Sequence, residues 1–155
     1  MRKKQKFKRI AEPDRKYENL TVAKLIKTIM LDGKITIAEK IVYGALDEIK
    51  EVTKADPIET FDLAIRNVSP VLEIKSKRVG GANYQVPREV RGDRKLTLAL
   101  RWIITASKAK KGSSMAHRLA DELLLASKGE GAAMKKRSDT QRMAEANKAF
   151  AHFAW

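Results

Sequence analysis

From Asn19 onward the chain carries apolar residues at helical spacing. Val22, Leu25, Ile26, Ile29 and Met30 fall at i, i+3, i+4, i+7 and i+8, so they share one helix face, and the Asp32-Gly33 pair predicts its C-terminal cap. Thr36-Ile37-Ala38-Glu39 has the spacing of a capping box, in which hydroxyl and carboxylate each accept from a backbone N–H. Ala38, Ile41, Val42, Ala45, Ile49 and Val52 then predict a second amphipathic helix. Asp56-Pro57 opens a third, because a proline at the first helical position gives up only an N–H that would be unpaired anyway. Ile58, Phe61, Ile65 and Val68 form its stripe before Pro70 stops it.

At Leu72 the period shortens to that of a strand. Leu72, Ile74, Ser76 and Arg78 alternate with Glu73, Lys75, Lys77 and Val79, Gly80-Gly81 tolerates φ > 0 at a turn, and Tyr84, Val86, Arg88 and Val90 line one face of the return. The pattern predicts a two-stranded β-hairpin over residues 71–91, its base packed on helices and its basic tip left for a partner. Pro87, which has no N–H to give, requires a free edge. A solvated loop with incidental lysines is the plainer reading.

Asp93 predicts the cap of a fourth helix, with Leu96, Leu100, Ile103 and Ser107 inward and Leu98 and Trp102 widening the apolar arc; this helix is the expected centre of the fold. A fifth carries Met115, Leu119, Leu123 and Ala126 inward and closes at Gly129. A sixth spans Ala132 to Phe150 on a thin stripe of Met134, Met143, Ala146 and Phe150, and must dock to be stable. The expected architecture is one mainly α domain over residues 1–155: a six-helix bundle with a protruding two-stranded β-hairpin between helices three and four and a basic disordered N-terminal arm over residues 1–16.

Charge changes the picture from fold to partner. The chain has 155 residues, a formal net charge of +14 and a pI near 10.1, more imbalance than solubility asks for, which points to a polyanion. Arg2, Lys3, Lys4, Lys6, Lys8 and Arg9, with Arg15 and Lys16, are opposed only by Glu12 and Asp14; that arm is expected to wrap on nucleic acid. Only Phe7 and Ile10 there could enter a bilayer, and neither a signal peptide nor a membrane span is recognisable, so the sequence predicts a soluble, unexported protein with no membrane partner. The absence of cysteine removes thiol catalysis and thiolate metal sites.

On the fourth helix Arg94, Arg101 and Lys108 recur every seven residues, which predicts a basic stripe about 21 Å long. Arg91, Lys95, Lys110 and Lys111 widen it, and acidic partners at i+4 are largely missing, so phosphate contact is favoured over a solvated helix face. Lys135, Lys136 and Arg137, followed by Arg142, Asn147, Lys148 and His152-Phe153-Ala154-Trp155, mix cations with rings as a groove for phosphates and unstacked bases would; Trp155 could equally close the core. His117 and His152 stand far apart, at a helix start and beside an aromatic cluster. No HExxH, GxSxG or phosphate-loop motif occurs, so an enzyme, a cofactor and a metal site are not expected.

Lys75-Ser76-Lys77-Arg78-Val79-Gly80-Gly81-Ala82-Asn83-Tyr84-Gln85-Val86-Pro87, Lys135-Lys136-Arg137 and the run Arg142 to His152 closely resemble the S-seven family of bacterial small-subunit ribosomal proteins. Met30-Leu31-Asp32-Gly33-Lys34 and Arg101-Trp102 also fall where that family has them, and the similarity fades only in the first dozen residues. The resemblance implies a helical domain with a hairpin arm, a scaffold that binds small-subunit ribosomal RNA and nucleates folding of the head. It implies ribosomal RNA at the N-terminal arm, Lys34, Lys75, the Arg94 to Lys108 stripe with its flanking cations, and Lys135, Lys136 and Arg137. It implies exit-site transfer RNA and messenger at Lys77, Arg78, Gly80, Gly81, Ala82, Asn83, Tyr84 and Arg142, with protein S-eleven as a neighbour and the chain a monomer within a cytoplasmic ribosome. Gly92, Ser138 and Ala154 depart from the family pattern, standing where proline, glutamate and arginine are usual. A module repressing the messenger of its own operon would use the same surface.

Overall fold

The computed structural model describes residues 12–153; Arg2, Lys3, Lys4, Lys6, Lys8 and Arg9, and at the other end Ala154 and Trp155, lie outside the described residues. Six α-helices run in chain order: α1 (Leu20–Ile29), α2 (Ile35–Thr53), α3 (Pro57–Val68), α4 (Gly92–Ala109), α5 (Met115–Ser127) and α6 (Ala132–Ala146). Strands β1 (Leu72–Val79) and β2 (Ala82–Glu89) stand between α3 and α4, and a short 3₁₀ helix, Lys148–Phe153, follows α6. The mainly α architecture with one hairpin arm is the expected one.

The core forms where the stripes meet. Val22, Leu25, Val42, Leu46, Ile49, Phe61, Val68, Leu100, Ile103, Leu119 and Leu123 are buried together, from five different helices. Helix α5 packs along α2, α3 and α4, so the centre expected of α4 alone is shared. Part of the reason is size. Gly44 of α2 would carry a Cβ only 3.5 Å from that of Ala116, and this pair of small residues lets the two helices approach. Asn67 of α3 fastens the other end, its amide donating to the carbonyls of Ala126 (3.0 Å) and Ser127 (2.9 Å) in the last turn of α5, where intrahelical donors run out.

Several local expectations move. The capping box does not form, because α2 begins two residues earlier, at Ile35, with Lys34 as its cap and no side-chain bond, which puts Thr36 inside the first turn. Asp93 likewise lies within the first turn of α4, whose cap is Arg91. Val52 is 69% exposed at the end of α2, where the stripe has rotated off the core. Helix α6 stops at Ala146, and its inward positions are Ala133, Thr140 and Ala144, while Met143 and Ala146 face out. The short residues bring its backbone close to the core, a stripe that hydrophobicity alone does not mark.

Residues 12–16 are not part of a loose arm. Asp14 is buried, and its carboxylate accepts from the N–H groups of Lys16 (3.1 Å), Tyr17 (2.9 Å) and Asn19 (2.8 Å). A turn leaves such donors exposed, and an Asp side chain supplies the acceptor; net charge is blind to this. Asn19 in turn caps α1, accepting from Thr21.

The hairpin pairs in register from Leu72 opposite Glu89 to Val79 opposite Ala82, with Gly80 and Gly81 at φ of 57° and 88°. Both central residues of the turn are left-handed, which only glycine adopts without cost. At the base, the N–H of Val90 donates to the carbonyl of Val71 at 3.0 Å, and Val86, Pro87 and Val90 are buried.

Candidate nucleic-acid interface

Burying Leu100, Ile103 and Ser107 turns the opposite face of α4 to solvent, and Arg94, Arg101 and Lys108 are all exposed there. Arg91 and Lys111 are exposed at its two ends and Lys95 is half-buried. Arg101 and Lys108 have no side-chain hydrogen bond or ion pair with a described residue. Arg94 is engaged: its Nε lies 3.1 Å from Glu73 of β1, tying the stripe to the base of the arm.

Lys110 turns the other way. Its ammonium stands 3.1 Å from Oε2 of Glu122, a carboxylate with 0% exposure, as an ionic contact without the alignment of a hydrogen bond. Oε1 of Glu122 accepts from the N–H of Ala133 at 2.9 Å, at the first turn of α6. The positive end of a helix dipole and a lysine thus neutralise one buried charge. Gly131, the cap of α6, sits at φ 97° and ψ 173°, and a Cβ there would come within 2.9 Å of that same oxygen. Arg118 donates to the carbonyl of Lys110, which orders the turn that places Lys111. The sequence did carry a signal for Glu122: it falls three residues after Leu119 and four before Ala126, inside an apolar stripe.

Helix α6, so anchored, presents Lys135, Lys136 and Arg142 to solvent and holds Arg137 half-buried. Arg137 and Gln141, one turn apart, line a cleft of about 240 Å³ closed on its other side by Pro70, Val71 and Leu72 of the arm's base. A second, larger depression of about 460 Å³ begins at the same two side chains and runs past Lys135 to Gly131. Arg94 of α4 and Arg137 of α6 therefore both reach the base of the hairpin. Lys34 is separate from them, exposed in the α1–α2 turn and 3.8 Å from Asp32.

Along the arm Lys75, Arg78, Gly80, Gly81, Ala82 and Asn83 are exposed, but Lys77 and Tyr84 are not fully so. Tyr84 packs against Phe150 and Phe153, each ring centroid 5.2 Å away, and Lys77 Nζ donates to the carbonyl of Phe153 at 3.0 Å. His152 lies on Phe153 at 4.0 Å, and His117 near the start of α5 meets Glu48 at 2.9 Å. Both histidines are where the sequence places them.

The Asp14 turn gathers the groups whose ionisation is perturbed. Lys16 bonds Asp47 at 2.7 Å, and that hydrogen bond raises its pKa; burial raises those of Tyr17 and Tyr43, and the Asp14 carboxylate adds to the effect on Tyr43. Each group therefore keeps its proton to higher pH folded than unfolded. Their stabilisation is whole below the unfolded values near 10 and is lost as pH rises through the folded ones. A Tyr43→Phe variant should accordingly lose less stability than the unsubstituted chain between about pH 9 and 11, read from urea midpoints. Equal losses would place the alkaline sensitivity elsewhere.

Among the described residues no helix is long and apolar enough to cross a membrane, and no group of three or more His, Asp or Glu is placed to hold a metal ion. The profile of the family described as Ribosomal protein S7p/S5e matches residues 1–148. The chain is 55% identical over 155 residues to the small ribosomal subunit protein uS7 of Thermotoga maritima, covering 100% of both. It is 57% identical over 152 residues to that of Cupriavidus necator, covering 98% of this chain and 97% of the relative. With uS7 of Bordetella petrii it shares 55% identity over 154 residues, 99% of each.

Proposed function

The chain belongs to the Ribosomal protein S7p/S5e family, and from that premise we propose that it is a structural constituent of the small ribosomal subunit that binds small-subunit ribosomal RNA, nucleates folding of the head and reaches the exit site with its hairpin. The observation that carries the reading is the pair of cationic faces on α4 and α6 that meet the base of the arm through Arg94 and Arg137, in a chain of net charge +14. Phosphate contacts position an RNA on such faces without reading its sequence. Arg101, Lys108, Lys111, Lys135 and Lys136 supply them, together with the basic N-terminal residues and Lys34. Arg94 serves both RNA and the arm, whereas Lys110 is spent on Glu122. The exposed tip from Arg78 to Asn83, with Arg142, faces transfer RNA and messenger; protein S-eleven is the expected neighbour. The role is a scaffold's, not a catalyst's.

Affinity for a head-domain ribosomal RNA transcript should fall steeply with salt, with a log–log slope near −6 to −7 if about eight phosphates are neutralised. Replacing Arg101 and Lys108 together by glutamine should weaken binding and flatten the slope by about two, at unchanged thermal stability. A wild-type slope shallower than about −2 would refute an extended footprint.

A further inference from the structure

We infer that the cleft between α6 and the base of the hairpin is a receptor for one unstacked RNA base. The inference rests on the RNA-binding role proposed above and adds a site that reads a nucleobase where the cationic faces meet only phosphates. At about 240 Å³ the cleft is narrower than a small-molecule pocket, a size suited to a single planar ring. Its walls differ in chemistry. Pro70, Val71 and Leu72 give an apolar side, and Val71 is 62% exposed at a position where a side chain so apolar gains nothing from water. Arg137 and Gln141 give the polar side.

Neither polar group is used up by the fold. Arg137 is half-buried and makes no hydrogen bond or ion pair with any described residue. A guanidinium so placed offers its flat face for stacking and its edge for hydrogen bonds. Gln141 gives its amide N–H to Glu145 at 3.1 Å, which leaves its carbonyl oxygen to accept from a base amino group. The adjoining depression leads from these two side chains to the exposed ammonium of Lys135. A strand can therefore lay its backbone along α6 beside Lys135 and turn one base in against Val71. A guanidinium against a ring is worth about 0.5–2 kcal/mol, and burying the base on an aliphatic wall adds no charge contact, whereas a phosphate contact changes the salt slope.

That difference makes the site testable in the full chain with a head-domain ribosomal RNA transcript. Val71→Trp fills the cleft and Gln141→Ala removes its acceptor, both on exposed surface. Each is expected to weaken binding by about two- to thirtyfold while the log–log salt slope stays that of the wild type. A photoreactive phenylalanine analogue at position 71 should crosslink to a single unpaired nucleotide, mapped by a reverse-transcription stop. Wild-type affinity in both variants with no localised crosslink overturns the base receptor while leaving RNA binding intact. A drop in affinity accompanied by a shallower slope makes the cleft a phosphate site and overturns it equally. Failure of the unsubstituted chain to bind the transcript would instead sink the RNA-binding role itself.

Discussion

Replacing Glu122 with alanine is expected to cost about 2–4 kcal/mol, because the buried N–H of Ala133 loses its acceptor and the emptied volume cannot be refilled. Glutamine keeps an oxygen at the same place and should cost only about 1 kcal/mol. Lys110→Met removes the cation instead and strands a carboxylate of 0% exposure, a loss of about 3 kcal/mol or more. Gly131→Ala meets the same oxygen at 2.9 Å from a backbone conformation that is nearly glycine's alone, for a further expected loss of about 1–3 kcal/mol. Urea midpoints at constant slope are the measurement. The sharp outcome is the ranking: if Lys110→Met leaves the midpoint unmoved and weakens RNA binding, the side chain belongs with the phosphate contacts and the ionic pair is incidental.

The second large effect is expected at the arm. Tyr84→Ala removes two aromatic pairs, each worth about 0.5–1.5 kcal/mol beyond simple burial. Opening of the hairpin should then become about ten to a hundred times more frequent. Amide exchange of residues 76–85 reports it, and truncation after Asn147 should have the same effect, since it removes Phe150, Phe153 and the carbonyl that holds Lys77. Core amides of α5 should not change, because the 3₁₀ helix contributes no buried residue. Unaltered exchange in the arm would mean that the strands hold themselves and the C-terminal segment merely rides on them.

How much of this was legible beforehand differs by the range of the interaction involved. The stripes of α1, α3 and α4, the proline start at Pro57 and the Gly80-Gly81 turn are local, and periodicity suffices for them. Capping was harder: Thr36 and Glu39 have the right spacing, but one earlier turn at Asp32-Gly33 starts the helix at Ile35 and leaves the motif inside it. What periodicity could not show were the side chains that act across the chain. Asp14, Asn67 and Glu122 bond groups contributed by other segments or satisfy turn amides, and a sequence window offers no way to weigh such partners. The same holds for the surface. Lysine spacing marks the basic face of α4, yet only the fold shows that Arg94 leans on Glu73 and that Lys110 turns inward.

The bond between Val71 and Val90 has an evolutionary side. Where a chain leaves and re-enters a body at two adjacent points, the length of what lies between is nearly invisible to that body, since closure entropy grows only with the logarithm of the loop. The arm leaves at Val71 and returns at Val90, 3.0 Å apart through that one bond. Beyond the Lys77–Tyr84 pair, the outermost to touch another described segment, residues can be added or removed two per strand to keep the same faces inward, without asking α3 and α4 to move. Reach is thus free to vary beyond Tyr84 separately from stability, and a longer or shorter tip should be accepted there as readily as the chain's own.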